Sequence, residues 1–141
     1  MFRQRFIKTM PTAFGIMLAC SSVAAHASAA DSSIFVPAGT FHGEVEGPDT
    51  DAAGNLYAVN FGGADDSNKG TIGKVTPAGN ASLFLRLPDG SSGNGIQFDA
   101  QGAMYIADYT GHNIWRYSDG QLSLLTHEPR MHQPNDLALH H

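Results

Sequence analysis

Two ten-residue stretches, "DAAGNLYAVN" from Asp51 and "DAQGAMYIAD" from Asp99, repeat one pattern 48 positions apart. Each opens on Asp, places Gly three residues later and runs on into an apolar-aromatic segment. The segments downstream of the two phrases correspond as well. "GTIGKVTPAGNASLFLRL" (70–87) aligns with "HNIWRYSDGQLSLLTH" (112–127), and the second copy lacks the "GGADDSN" insertion of the first. The approach to the second phrase also recurs, because Asn94-Gly95-Ile96 returns as Asn135-Asp136-Leu137, 41 positions on. A chain that repeats at about 40 to 50 residues must stack similar units, since one such unit cannot bury its own apolar face.

The units read as strands. "LYAVN" (56–60), "IGKVT" (72–76), "SLFLRL" (82–87), "GIQFD" (95–99), "AMYIAD" (103–108), "NIWRY" (113–117) and "LSLLT" (122–126) are short apolar or alternating runs. Between them stand Ala-Gly-Asn, Pro-Ala-Gly, Pro-Asp-Gly, Gln-Gly and Ser-Asp-Gly, residues that form tight turns. No helical period is visible after residue 31. Many short strands at regular spacing indicate a sandwich, barrel or propeller, and the repeat selects the propeller. The expected fold is all-β: a partial β-propeller of about two four-stranded antiparallel blades, following an N-terminal signal peptide. "PNDLAL" (134–139) is expected to form the first strand of a third blade.

"EGPDTDAAGNLYAVN" (46–60), "NGIQFDAQGAMYIAD" (94–108) and "PNDLAL" resemble the SMP-30/gluconolactonase/LRE-like family of six-bladed propellers, over residues 46 to 139. The Glu-Gly-Pro opening and the two Asn-[Gly/Asp]-aliphatic openings carry the resemblance, while NHL-type propellers share the hairpin alone. The resemblance implies a divalent metal, calcium first, in the central channel. Glu46, Asn94 and Asn135 stand at its ligand positions. One carboxylate and two amide carbonyls are hard oxygen donors, the type that suits calcium or magnesium. It also implies hydrolysis of a small-molecule lactone or ester, with a later-blade Asp as ligand and base. That Asp has no counterpart here, so the catalytic residues are unknown. Asn before Gly is also a common turn residue, so each amide alone has a structural reading. The alternatives are a non-catalytic NHL-like binding module and an inactive fragment.

The expected organisation is a signal peptide over 1–27 with cleavage near 27–29, a lead-in over 28–45, and propeller blades over 46–141, truncated in the third. Arg3, Arg5 and Lys8 precede the apolar "TAFGIMLACSSVAA" (12–25), and Ala25-His26-Ala27 and Ala27-Ser28-Ala29 offer small-x-small cleavage sites. That pattern marks an exported chain, periplasmic or extracellular, and the apolar stretch is too short for a membrane span. "MLAC" offers a lipoprotein reading through Cys20. Cleavage beyond it leaves a chain without disulfides, whose stability must come from its core.

All thirteen acidic residues follow Ser28, against five basic ones: Lys69, Lys74, Arg86, Arg116 and Arg130. Scattered basic residues in an acidic chain exclude nucleic acid as a partner, because phosphate binding needs a clustered basic face. Open blade faces predict self-association. Other patterns carry less. "ADDSNKG" (64–70) lacks the closing Glu of an EF-hand, with Thr76 in that place. His112, His127, His132, His140 and His141 show no zinc spacing. "GSSGNG" (90–95) puts Asn94 where a serine-hydrolase elbow needs glycine.

Overall fold

The computed structural model describes residues 32–41, 43–62 and 67–140. The signal-peptide reading, Cys20 and most of the "ADDSN" insertion fall outside them, as does His141. Eight strands follow one another: β1 (Val45–Thr50), β2 (Leu56–Asn60), β3 (Thr71–Val75), β4 (Ala81–Arg86), β5 (Gly93–Phe98), β6 (Met104–Asp108), β7 (Asn113–Ser118) and β8 (Gln121–His127). They form two four-stranded sheets, ordered β1-β2-β3-β4 and β5-β6-β7-β8, with every pair antiparallel. Two consecutive meanders of four strands are the expected pair of blades. No helix among the described residues is long and apolar enough to cross a membrane.

The repeated Asp of each phrase builds the first hairpin of each blade. Asp51 Oδ1 accepts the backbone N–H groups of Ala53 (3.0 Å) and Asn55 (2.9 Å), and its Oδ2 accepts the Tyr57 hydroxyl at 3.0 Å. Asp99 repeats the device, with Oδ1 on the N–H groups of Gln101 (2.9 Å) and Ala103 (2.8 Å) and Oδ2 on the Tyr105 hydroxyl at 3.0 Å. The Asp side chain thus satisfies donors that the turn removes from the ladder, which is why Asx residues initiate such turns.

Alternation along the strands sends successive side chains to opposite faces. One face of each blade meets the other blade. Tyr57, Val59 and Ile72 from the first pack with Ile96, Met104 and Ile106 from the second, and Leu87 of the connection joins them. Burying an aliphatic side chain of this size contributes about 1.5–3 kcal/mol, and Val59, Ile72 and Ile106 are all at 0 % exposure. Aromatic rings continue the seam outward. Phe84 on β4 stands edge-on to Tyr57 and to Tyr117 of the second blade, with both centroid separations 5.0 Å. The opposite face of the first blade, with Leu56 and Ala58, faces a cleft walled by the lead-in residues Val36 to Phe41. Phe41 lies against Gly73 of β3, where a Cβ would overlap its ring.

Two details differ from the sequence expectation. The "EGPDT" opening lies within a strand, β1, although Pro48 and Gly47 weaken the strand signal; Pro48 is accommodated because the β1–β2 register shifts between Glu46 and Asp49. Conversely, "PNDLAL" forms no strand: residues 134–139 have no ladder among the described residues. An innermost strand exists only when paired with the second strand of its own blade, and no described strand offers that edge.

Candidate functional site

The innermost strands β1 and β5 carry Glu46 and Asn94, two of the three ligand positions that the resemblance implies, and both strands are irregular there. Register slips between Glu46 and Asp49 against β2, and between Gly93 and Ile96 against β6. A β-bulge releases one or two residues from the ladder and re-aims their side chains, and such bulges concentrate beside functional sites. The released residues include Gly47 in the first blade and Asn94-Gly95 in the second.

The three openings lie side by side. Gly47 (φ 44°) is pressed so closely on the Asn94-Gly95 backbone that a Cβ would sit 2.5 Å from the Gly95 Cα and 2.8 Å from the Asn94 carbonyl carbon. Gly95 is pressed on the next opening in turn. A Cβ there would lie 2.8 Å from the Asp136 Cα and 2.9 Å from the Asn135 carbonyl oxygen. Gly47 after Glu46 and Gly95 after Asn94 therefore let consecutive openings touch through their backbones, so the openings that carry Glu46, Asn94 and Asn135 are neighbours in the fold.

Their side chains differ in setting. Asn94 is 5 % exposed, whereas Glu46 and Asn135 are exposed. None of the three makes a side-chain hydrogen bond or ion pair among the described residues, and the Asn94 amide is not one of the sealed, unpaired polar groups. A largely buried amide that keeps solvent access and has no protein partner is free to serve as a donor oxygen. The set fits a hard cation in donor chemistry. It offers three oxygens where calcium takes six to eight, so water or other ligands would complete the shell. Among the described residues no cluster of three or more His, Cys, Asp or Glu is present; a set of one Glu and two Asn is of a different kind.

A second polar centre lies between β6, β7 and the connection into β5, and the sequence reading passed over it. Asp108, at 0 % exposure, receives five donors. Its Oδ1 accepts Ser92 N (3.0 Å) and Gly111 N (2.9 Å), and its Oδ2 accepts Ser91 Oγ (2.6 Å), Asn113 Nδ2 (2.7 Å) and Trp115 Nε1 (2.9 Å). Burial pushes its carboxyl pKa up, but the hydrogen bonds from Ser91, Asn113, Trp115 and Gly111 outweigh burial and hold it below the usual value. Asp108 is thus a saturated, ionised clamp, and a carboxylate in that state is a poor general base. The repeat held a signal for it: Asp108 ends "MYIAD" where Asn60 ends "LYAVN". Asn60, also at 0 % exposure, donates Nδ2 to Thr71 Oγ1 at 2.8 Å and leaves Oδ1 without a partner.

Among the described residues the histidines form no cluster. His112 Nδ1 meets the Met131 carbonyl at 2.5 Å, and His127 Nδ1 meets Asn113 Oδ1 at 2.8 Å. Both tie the stretch after β8, or β8 itself, to the second blade.

Blade order, bulged inner strands and touching openings define this chain as part of a β-propeller. Comparison with solved structures agrees. The fold is similar to that of virginiamycin B lyase from Staphylococcus aureus, a β-propeller enzyme, in its catalytically inactive form with quinupristin; the TM-score is 0.52 at 19% sequence identity. The match covers 67% of this chain and 31% of the lyase, so this chain spans about a third of that protein. At this identity the likeness establishes the fold. No family model and no curated protein matches the chain.

Proposed function

We propose that these blades belong to an exported, metal-dependent lactone or ester hydrolase of the SMP-30/gluconolactonase/LRE-like kind, with a divalent cation, calcium first, held by Glu46, Asn94 and Asn135. The observation that carries this reading is the contact of three successive strand openings through Gly47 and Gly95. It brings next to one another the backbone stretches that carry one carboxylate and two amides, none of which is hydrogen-bonded or ion-paired among the described residues. A cation bound there would polarise a substrate carbonyl and acidify a bound water. Glu46 supplies the negative charge of the set. The bulge in β5 releases Asn94 from its ladder, Glu46 is the last paired residue before the bulge in β1, and the buried position of Asn94 limits how far its amide can move. Asp108 is too fully hydrogen-bonded to take the proton, so the reading assigns hydrolysis to a closed propeller in which another blade supplies the base.

The test is thermal unfolding with calcium chloride and with a chelator. Calcium raises the Tm of the wild type, and Glu46→Ala removes the rise. Equal Tm values for the wild type in the two conditions would sink the reading.

A second reading is a non-catalytic, NHL-like binding module. It draws support from Leu83 on β4 and Leu124 and Leu125 on β8, which are 53%, 51% and 55% exposed on the outer strands. It expects no calcium response and a sedimentation profile showing self-association or capture of a partner through those strands.

A further inference from the structure

The described residues contain five Lys and Arg side chains, and three of them are engaged. Lys74 Nζ lies 5.3 Å from the Tyr57 ring centroid and 5.9 Å from that of Phe84. The Arg116 guanidinium lies 5.9 Å from the Tyr105 ring. Arg130 pairs with Glu128 at 2.7 Å. The other two, Lys69 and Arg86, face neither a carboxylate partner nor a ring among the described residues, and both line the same cleft of about 330 Å³. Among the described residues, these are the two basic side chains without an ion-pair or ring partner, and they line one cleft.

Arg86 is held in place by neutral groups. Its Nη1 donates to the Lys69 carbonyl at 3.3 Å and its Nη2 to the Ser67 carbonyl at 3.0 Å, so its orientation is set without an ion pair among the described residues. The rest of the wall has the opposite character. The Ser91 hydroxyl donates its proton to Asp108 at 2.6 Å, and the Thr110 hydroxyl donates to the Gly90 carbonyl at 2.8 Å. Each hydroxyl therefore turns only lone pairs toward a ligand, and the Asp89 carboxylate lining the cleft can only accept. Ser92, 1 % exposed in the same wall, carries a sealed hydroxyl oxygen without a partner.

We infer that this cleft binds a small hydroxylated monocarboxylate. Lys69 and Arg86 hold its carboxylate, and Asp89, Ser91 and Thr110 accept its hydroxyl protons. Asp89 disfavours a dianion such as phosphate by like-charge repulsion. The volume suits a ligand of a few carbon atoms, at the low end of the range of small-molecule sites. The cleft needs no cation at Glu46, Asn94 and Asn135, although Ser92 is only two residues before Asn94.

The experiment is amide chemical-shift titration of the full chain with sodium glycerate in the presence of a chelator, at fixed ionic strength so that screening stays constant. Sodium propionate and inorganic phosphate serve as comparison probes. Glycerate is expected to shift the amides of Gly70, Ser91, Ser92 and Thr110 saturably and to bind more tightly than either comparison. Lys69→Gln, at an exposed turn position, is expected to weaken glycerate about tenfold, the loss of one charge-assisted hydrogen bond. Absence of a saturable shift, or unchanged affinity in Lys69→Gln, overturns the site. Propionate binding as tightly as glycerate overturns the hydroxyl assignment, and phosphate binding more tightly overturns the carboxylate. Because the titration is run without free metal, its failure leaves the calcium reading standing, and a null calcium result leaves this one standing.

Discussion

Gly47 lies directly against the backbone of Asn94, with no room for a Cβ between the two strand openings. This contact sets the first blade against the second at the candidate ligand positions. Gly47→Ala must therefore strain a positive φ and also separate the two backbones. We expect a loss of about 2–4 kcal/mol of stability, against about 1 kcal/mol for Gly79→Ala, where φ is 83° and the space is open. Urea unfolding of the two variants measures the difference, and equal losses would show that close approach contributes nothing.

Asn94 tests the donor set from another side. If its amide oxygen is a cation ligand, Asn94→Asp adds a charge at the same distance and raises calcium affinity, while Asn94→Ala lowers it. Calcium titration followed by the shift in Tm orders the three proteins. A structural amide gives the opposite pattern, with both variants destabilised and neither responding to calcium.

Asp108 should govern the acid limb of stability. Its folded pKa lies below the ordinary Asp value of 3.8. Its contribution is then complete above the unfolded pKa, declines as the unfolded chain takes up a proton, and is gone once pH falls through the folded pKa. Asp51 and Asp99 are lowered as well and act in the same window and with the same sign. Unfolding free energy measured from pH 6 down to pH 2 should fall steeply for the wild type and less steeply for Asp108→Asn. At pH 7 that variant should be less stable by about 3 kcal/mol, because an amide NH₂ would oppose buried donors.

The hairpin latches should be separable from the core. Tyr57→Phe and Tyr105→Phe each remove one hydroxyl donated to a turn Asp at 3.0 Å while keeping the ring. Each should cost about 1 kcal/mol. Tyr105→Phe also removes the acceptor of Arg116 Nε at 3.3 Å, so it should cost at least as much as Tyr57→Phe. Guanidinium unfolding checks both, and a loss beyond about 3 kcal/mol in either would mean that the ring itself had been displaced.

Much of the fold was legible because the repeat and the turns are local signals. Asp51 and Asp99 hydrogen-bond within six residues of themselves, so "DAAGNLY" and "DAQGAMY" specify their hairpins wherever they occur. The strands from β2 to β8 follow from apolar runs bounded by those turns. β1 was less visible, because Gly47 and Pro48 count against a strand and are tolerated only at a bulge whose position depends on the partner strand. "PNDLAL" reads as a strand by composition and is not one here, because strand formation requires a paired edge that composition does not report.

The amino-acid sequence by itself determined the all-β class, the blade-sized repeat and the hairpins, since each rests on residues near one another in the chain, while Glu46, Asn94 and Asn135 entered as ligand candidates through the family resemblance. Tertiary structure alone decided that Gly47 and Gly95 bring those three openings into contact. It also decided that Asp108 collects donors from three segments, and that Lys69 and Arg86, 17 positions apart, share one cleft. Those relationships arise from how one blade packs on the next, and the apolar seam of Tyr57, Val59, Ile72, Ile96, Met104 and Ile106 that fixes this packing carries no mark in the sequence of which polar groups it will bring together.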